Sequence, residues 1–150
     1  TVVTSPAMLP PLPPVTQIEP KSFNQALTLN VLATQALLAG FDPLLKRSGH
    51  GRVIGLTSSV GAEPRAYWGA YGASKAAFDT LLSCYAQEVE RISETRVAIL
   101  DPGATRTQMR ARAYPGEDPQ SVKAPEVVAE RILSLLREDF STGLREHVVG

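Results

Sequence analysis

The sequence predicts an α/β protein in which a parallel sheet carries helices on its faces. Two short runs, at residues 52–57 and 95–100, each contain four consecutive residues without a polar side chain, as expected of strands that are buried on both faces of a parallel sheet. Segments with helical periodicity alternate with these runs, which is typical of βαβ architecture. A chain of 150 residues is long enough to form one domain with a substantial core.

The first part of the chain predicts a strand end, a loop and one long helix. Residues 1–3 read as the end of a strand, and the prolines between positions 6 and 20 predict a surface loop, because proline removes backbone donors. The pattern from Ser22 to Gln25 is typical of a capping box and predicts a helix that starts at Ser22. Gly40 and Pro43 weaken the far end of this helix, although residues 44–47 could continue it after a kink.

The rest of the chain alternates between strand and helix. Turn residues and strand-like runs separate the helices, and the segment after the second long strand shows little periodicity. The predicted elements are a strand at 52–57, a helix at 71–91, a strand at 95–100, an irregular excursion at 104–123, a helix at 125–137 and a strand at 144–149.

Several chemically capable residues are predicted to meet at one edge of the sheet. Ser58 and the Pro102-Gly103 pair follow strand ends, and Tyr71 and Lys75 open the helix between them. Residues four apart share a helix face, so the tyrosine and the lysine can point into one pocket. An ammonium beside a phenol favours the phenolate, which is suited to proton transfer with a carbonyl or alcohol oxygen.

Four motifs in this order resemble the short-chain dehydrogenase/reductase family. They are Asn30 within a helix, Ser58-x-x-Gly61 after a strand, Tyr71-x-x-x-Lys75 at a helix start, and Pro102-Gly103-x-x-x-Thr107 after the next strand. The resemblance runs from about Ser22 to the end of the chain. It implies a doubly wound Rossmann-type fold and oxidation or reduction of an alcohol/carbonyl pair with NAD or NADP. Residues 105–111 and 116–119 resemble a subgroup of uncharacterised bacterial oxidoreductases.

The resemblance also implies residue roles. Tyr71 would be the general acid or base, Lys75 would lower the pKa of Tyr71 and hold the nicotinamide ribose, Ser58 would bond the substrate oxygen, and Asn30 would hold a water linked to Lys75. The predicted cofactor-binding residues are Tyr71, Lys75, Pro102, Gly103, Thr105 and Thr107, although the family usually has an aliphatic residue at position 105. The helices at 22–47 and 71–91 would form the interface of a homodimer or homotetramer, and residues 104–123 would cover a small alcohol or carbonyl substrate.

The sequence departs from the family pattern at its beginning. No Gly-rich turn precedes the catalytic motifs, and the Asn-Ala-Gly motif is absent, with Thr4-Ser5-Pro6-Ala7 near its expected place. At about 30 residues per βαβ unit, we expect roughly 80 to 100 family residues to precede Thr1. Residues 1–150 are therefore predicted to be the C-terminal part of one domain, and to bind dinucleotide very weakly alone. The alternative is a catalytically silent fold that serves as a binding or assembly partner.

Composition excludes several other classes. Lys+Arg and Asp+Glu are both 15, which gives no electrostatic reason to expect nucleic acid or a membrane as a partner. Cys84 is the single cysteine, and no secretory signal is visible, so we expect a cytoplasmic protein. His50 and His147 have no partners at ligand spacing, and no metal site is predicted.

The sequence leaves the roles of two sets of side chains open. The Tyr67-Trp68 pair is either part of the core or a subunit contact, or else a wall of the substrate site. Arg106, Arg110 and Arg112 either form a solvated face or meet an anionic substrate or cofactor phosphate.

Overall fold

The computed structural model describes residues 1–150, which form a four-stranded sheet with helices on both faces. The strands are β1 (Val2–Thr4), β2 (Arg52–Leu56), β3 (Arg96–Asp101) and β4 (Leu144–His147). The α-helices are α1 (Pro20–Leu27), α2 (Ala33–Arg47), α3 (Ser59–Ala62), α4 (Gly69–Val89), α5 (Gln108–Ala113) and α6 (Pro125–Arg137). A π-helical segment, Thr28–Leu32, joins α1 to α2, and short 3₁₀ helices lie at Val15–Gln17 and Pro119–Ser121.

All strand pairs are parallel, and the strands lie in the order β1-β2-β3-β4. Each strand therefore ends at the same edge of the sheet. In register, Leu56 of β2 lies opposite Leu100 of β3, and Asp101 lies opposite His147 of β4. This arrangement confirms the predicted α/β class with a parallel, Rossmann-type sheet.

Alternate residues of the two central strands point to opposite sides of the sheet. Val53, Val97 and Ile99 pack against α2 and α4, in a cluster that includes Phe78 and Leu82. The intervening residues Ile54, Ala98 and Leu100 pack on the other side with Val128 and Leu135 of α6. The sheet is consequently buried on both faces at its centre, which is why the central strands are almost entirely apolar.

The first helix begins earlier than the sequence pattern predicted. It starts at Pro20, and Glu19 is its N-cap, so the prediction of a capping box that starts at Ser22 was wrong. Proline at the first helical position has its φ angle preset and loses no intrahelical bond, which favours this start. The Ser22 hydroxyl instead donates to the Glu19 carboxylate across 3.1 Å. Helix α2 continues through Pro43 to Arg47.

The observed bounds of the other predicted strands and helices agree with the predicted bounds within about two residues. The differences lie in the segments that connect these elements. The excursion at 104–123 contains α5 and a 3₁₀ turn, and a single bridge from Thr105 to Lys123 ties its ends together. The short helix α3 was not predicted. None of the helices is both long and apolar enough to cross a bilayer.

Candidate active site

A cleft of about 970 Å³ opens at the carboxyl edge of the sheet. Strand ends β2 and β3, the start of α4, helix α5 and the first turns of α6 surround it. The cleft is lined by all the predicted site residues except Asn30, namely Ser58, Tyr71, Lys75, Pro102, Gly103, Thr105 and Thr107. The fold thus brings together residues that are far apart in the sequence.

Close contact between α3 and α4 brings Ser58 beside Tyr71. A Cβ atom on Gly61 would lie 3.0 Å from the carbonyl carbon of Lys75, and one on Gly72 would lie 3.0 Å from the carbonyl oxygen of Val60. Glycine at both positions lets the two backbones approach. Ser58 is the N-cap of α3, but its hydroxyl makes no capping bond, so this group is available to the cleft.

Tyr71 is buried, with 6% of its surface exposed. Burial raises the pKa of Tyr71 to about 12, the nearby Ser58 hydroxyl acts to lower it, and the nearby Asp101 carboxylate acts to raise it. This direction is opposite to the lowered pKa expected from the Tyr-x-x-x-Lys spacing. The Lys75 ammonium lies 5.9 Å from the centroid of the Tyr71 ring, and two carbonyl groups hold it there.

Lys75 is even more buried, at 2% exposure. Its ammonium donates to the carbonyl of Leu56 across 2.9 Å and to the carbonyl of Pro6 across 3.0 Å. Burial lowers the pKa of Lys75 to about 8, and the charge of Asp79 acts to raise it. At neutral pH the side chain is therefore still mainly an ammonium, and it has a third N–H beyond the two that are bonded.

Asn30 lies behind the cleft, in the π-helical segment, and is fully buried. Its amide donates to the Ser74 hydroxyl across 2.9 Å and to the carbonyl of Met8 across 3.2 Å, while its oxygen accepts from the backbone N–H of Met8 at 3.0 Å. Asn30 thus ties the proline-rich loop to α4 directly beside Lys75. Local π-helical geometry of this kind is frequent at functional sites.

Asp101 and His147 are site residues that the sequence reasoning missed. The Asp101 carboxylate accepts from the backbone N–H of Gly103 across 2.9 Å, and its other oxygen lies 2.9 Å from Nδ1 of His147. These contacts fix the Pro102-Gly103 turn, in which Gly103 has a φ of 61°. An aspartate two residues before a glycine is a recognisable turn signal in the sequence. The pairing of Asp101 with His147, in contrast, can be predicted only when the register between β3 and β4 is known.

The two predicted cofactor-binding threonines serve different local purposes. Thr105 is buried, and its hydroxyl donates to the carbonyl of Pro102 across 3.0 Å. The hydroxyl of Thr107 accepts from the backbone N–H of Arg110 across 3.1 Å and caps α5. Both side chains border the cleft while holding the segment that follows the Pro102-Gly103 turn.

A row of aromatic rings connects Tyr71 to the excursion at 104–123. The ring of Trp68 meets Tyr71 edge-on at 5.9 Å between centroids and stacks on Tyr114 at 6.0 Å. The guanidinium of Arg110 lies 3.8 Å from the centroid of the Tyr114 ring, and it binds the Glu117 carboxylate through two bonds of 2.7 and 2.6 Å. Of the two open interpretations of Trp68, the cleft-wall interpretation agrees with this position.

The residues at the cleft fit one end of a dinucleotide cofactor. Lys75 keeps one N–H that is not bonded to Leu56 or Pro6, and the left-handed Gly103 turn places backbone without a side chain at the cleft. A Cβ atom on Gly103 would lie only 2.8 Å from Cε1 of His147. Hydrogen-bond donors and exposed backbone are thus present at one end of the cleft, whereas no Gly-rich turn of the kind that binds a pyrophosphate is present in the sequence.

Comparison with known proteins identifies the family. The family model described as short chain dehydrogenase matches residues 2–118. The chain belongs to the short-chain dehydrogenase family, as its four motifs predicted.

Its relatives include bacterial oxidoreductases. The uncharacterized oxidoreductase YciK of Escherichia coli (strain K12) is 39% identical over 126 residues, which cover 84% of this chain and 49% of the relative. A short chain dehydrogenase from Shigella flexneri 2a, solved with NADP, is 36% identical with a TM-score of 0.91 over 98% of this chain and 62% of the other. One from Escherichia coli CFT073, complexed with NADPH, is 35% identical with a TM-score of 0.93, over 99% of this chain and 62% of the other.

These similarities confirm the predicted likeness to uncharacterised bacterial oxidoreductases. The chain spans about half the length of this curated relative and less than two thirds of the two solved structures.

Proposed function

We propose that this chain carries the catalytic and nicotinamide-binding part of an NAD(P)-dependent oxidoreductase that interconverts an alcohol and a carbonyl compound. The observation that carries the proposal is the burial of the Tyr71 hydroxyl beside Ser58 and Lys75, in a cleft at the carboxyl edge of the sheet. Ligands of open α/β sheets bind at this edge. The neighbours that were solved with NADP and NADPH support the cofactor class.

Tyr71 is the proposed proton donor and acceptor for the substrate oxygen. Because burial raises its pKa to about 12, the phenol is protonated at neutral pH in the absence of a bound cofactor. A protonated phenol is ready to donate, which suits the reduction of a carbonyl group. Ser58 supplies a second hydroxyl with no capping bond, and its role is to hold the same oxygen in place.

Lys75 is the proposed link between the cofactor and the acid. The carbonyls of Leu56 and Pro6 fix its ammonium and leave one N–H for the nicotinamide ribose. A positive charge beside the phenolate stabilises it after the proton has left. The proposed role of Asn30 is to position Lys75 indirectly. Its bonds to Ser74 and Met8 hold the two segments that flank Lys75.

The Pro102-Gly103 turn and Thr107 are the proposed lining for the nicotinamide. Asp101 holds the turn in place through the Gly103 N–H, and Thr105 braces it through the carbonyl of Pro102. When bound, a nicotinamide cofactor supplies or accepts the hydride. The part of the protein that binds its pyrophosphate is expected outside residues 1–150.

Turnover by the full natural polypeptide tests the proposal. We expect oxidation of NADPH or NADH that depends on a ketone or aldehyde and matches the alcohol formed mole for mole. Ser58→Ala and Lys75→Met should each lower kcat/KM by at least about tenfold, whereas Ser93→Ala, at a loop serine distant from the cleft, should leave it unchanged. A full polypeptide that binds the cofactor and reduces no member of a broad carbonyl panel would contradict the proposal.

Assembly into a homodimer or homotetramer is part of the same proposal. Large apolar side chains are exposed along the first long helix, namely Leu29, Leu32, Leu37, Phe41 and Leu44. An apolar stripe of this kind is typical of a surface that another subunit covers. Light scattering should give a mass of two or four subunits, and Phe41→Arg should shift the mass towards the monomer. We also place the protein in the cytoplasm, on the grounds of its single cysteine.

A further inference from the structure

The wall of the cleft next to the catalytic tyrosine is aromatic. Trp68 and Tyr114 stack on each other, and Trp68 also touches the ring of Tyr71. All three rings line the cleft, together with the apolar side chains of Met109, Val128 and Ile132. An apolar group attached to a carbonyl at Tyr71 would therefore meet rings first and aliphatic side chains beyond them.

The backbone of the residue that precedes Trp68 is held in an unfavourable conformation. Tyr67 is the one residue other than glycine with a positive φ, at 70°, and its side chain is largely exposed. The backbone N–H of Trp68 closes the turn by bonding to the carbonyl of Arg65 across 3.2 Å. Strain of this type at a bulky residue persists where the surroundings require it, frequently at ligand sites. Here the turn delivers Trp68 to the cleft immediately before α4 begins.

The guanidinium that lies over the ring of Tyr114 is already paired with a carboxylate. Arg110, which lies over Tyr114, donates two bonds to Glu117. Arg106, farther along the excursion, donates to Gln120 across 3.2 Å. The arginine at the wall therefore has its own carboxylate partner, and a charged substrate would have to displace Glu117 to reach it.

From these observations we infer that the cleft is specific for ketones or aldehydes whose carbonyl carries a planar aromatic group, with that group packed against Trp68 and Tyr114. The inference rests on the proposed function and names its substrate class. In the reduction, the carbonyl carbon gains the hydride from the reduced nicotinamide and the oxygen gains the proton of Tyr71, so the product is an aryl carbinol. Tyr114 belongs to the excursion at 104–123, so the same contact orders that segment over the substrate.

Aromatic pairs gain about 0.5–1.5 kcal/mol beyond the simple burial of apolar area. The informative comparison is thus between two ketones of similar size and apolar character, one planar and one not. Acetophenone and cyclohexyl methyl ketone form such a pair, and butanone is a small reference substrate. With the full polypeptide and its preferred cofactor, kcat/KM should be about tenfold higher for acetophenone than for cyclohexyl methyl ketone.

Variants of Trp68 distinguish a role of this ring in substrate preference from a purely structural role. Trp68→Leu should lower kcat/KM for acetophenone by about tenfold and for cyclohexyl methyl ketone by less than about threefold. Trp68→Phe keeps a ring and should retain most of the preference. Tyr114→Leu, which alters the second ring without touching the α4 turn, should change the preference in the same direction as Trp68→Leu.

The possible results distinguish this inference from the proposed function. Equal turnover of the two matched ketones, or an equal loss on both in Trp68→Leu and Tyr114→Leu, would overturn the aromatic specificity and leave the oxidoreductase intact. A protein that reduces none of the three ketones, nor any other carbonyl compound, would overturn both. Loss of the acetophenone preference in Trp68→Leu, with retention in Trp68→Phe, supports the inference.

Discussion

The side-chain amide of Asn30 donates to the hydroxyl of Ser74 across 2.9 Å, and thereby joins the π-helical segment to α4 one residue before Lys75. Ser74 in turn donates to the carbonyl of Tyr71 across 2.8 Å. A residue of the first long helix is thus connected through one hydroxyl to the backbone carbonyl of Tyr71. The same amide holds the backbone of Met8, so the proline-rich loop and α4 share one anchor.

Replacing Asn30 by alanine should be costly for folding. It leaves the Met8 N–H and the Ser74 hydroxyl without their buried partner, and a lost bond of this type costs about 1–3 kcal/mol. Chemical denaturation of the full polypeptide should show a decrease in this range. Asn24→Ala, at an exposed position of α1, is the matched control and should change the free energy of unfolding by less than about 0.5 kcal/mol. Equal effects of the two variants would contradict the anchoring role.

Two glycines should respond to alanine in opposite directions. A Cβ atom on Gly55 of β2 would lie 2.2 Å from Cδ1 of Leu82 and 2.9 Å from Cζ of Phe78, whereas one on Gly40 of α2 would meet nothing within 4 Å. Overpacking should make Gly55→Ala less stable by about 1–3 kcal/mol. Gly40→Ala should be more stable by about 0.5–1 kcal/mol, because alanine favours a helix interior. Thermal melts of both variants check the two signs.

The buried ammonium of Lys75 predicts a specific dependence of stability on pH. Burial lowers its pKa from 10.5 to about 8 in the folded protein. Between those two values the unfolded chain binds more protons than the folded chain, so the contribution of Lys75 to stability rises with pH. Relative to a Lys75→Met variant, the wild type without cofactor should gain about 2 kcal/mol between pH 8 and pH 10.

Denaturation of the two proteins at several pH values measures this difference. Lys21→Met, which removes an exposed lysine, is the control and should follow the wild type across the same range. A constant difference between Lys75→Met and the wild type from pH 8 to pH 10 would show that the ammonium is not desolvated as the structure requires.

The left-handed conformation of Tyr67 should also be measurable. Its φ of 70° disfavours a bulky side chain, whereas asparagine adopts this region more readily. Because the Tyr67 side chain is mostly exposed, Tyr67→Asn loses little packing and should raise the free energy of unfolding by about 1 kcal/mol. Ala66→Asn, at the preceding exposed position, should bring no gain, and an equal change in both variants would contradict the strain.

The alternation of apolar runs and helical stripes was sufficient to predict the parallel sheet. Strands such as β2 and β3 are buried on both faces, so their apolar composition alone identifies them as strands of a parallel sheet. The start of α1 was misplaced because two competing signals lie within three residues, and the preset φ angle of Pro20 outweighs the cap expected at Ser22. Helix α3 is too short to show a period.

Sequence spacing found the residues that line the cleft but not their electrostatics. The spacing of Tyr71 and Lys75 predicts a shared helix face, and both side chains do line the same cleft. The upward direction of the Tyr71 pKa depends on burial and on the nearby Asp101 carboxylate, and both come from segments distant in the sequence. The contact between Asp101 and His147 likewise depends on strand register, which the local pattern does not encode.

Tyr71 is the proposed proton donor to the substrate carbonyl, and a matched pair of tyrosine variants provides the decisive test. Tyr85 lies on the same helix, also has less than a tenth of its surface exposed, and donates its hydroxyl to Asp42 across 2.9 Å, away from the cleft. In the full polypeptide, Tyr71→Phe should lower kcat/KM for carbonyl reduction by about 100-fold or more, and Tyr85→Phe should leave it nearly unchanged. Carbonyl reduction by Tyr71→Phe at the rate of Tyr85→Phe would contradict the account.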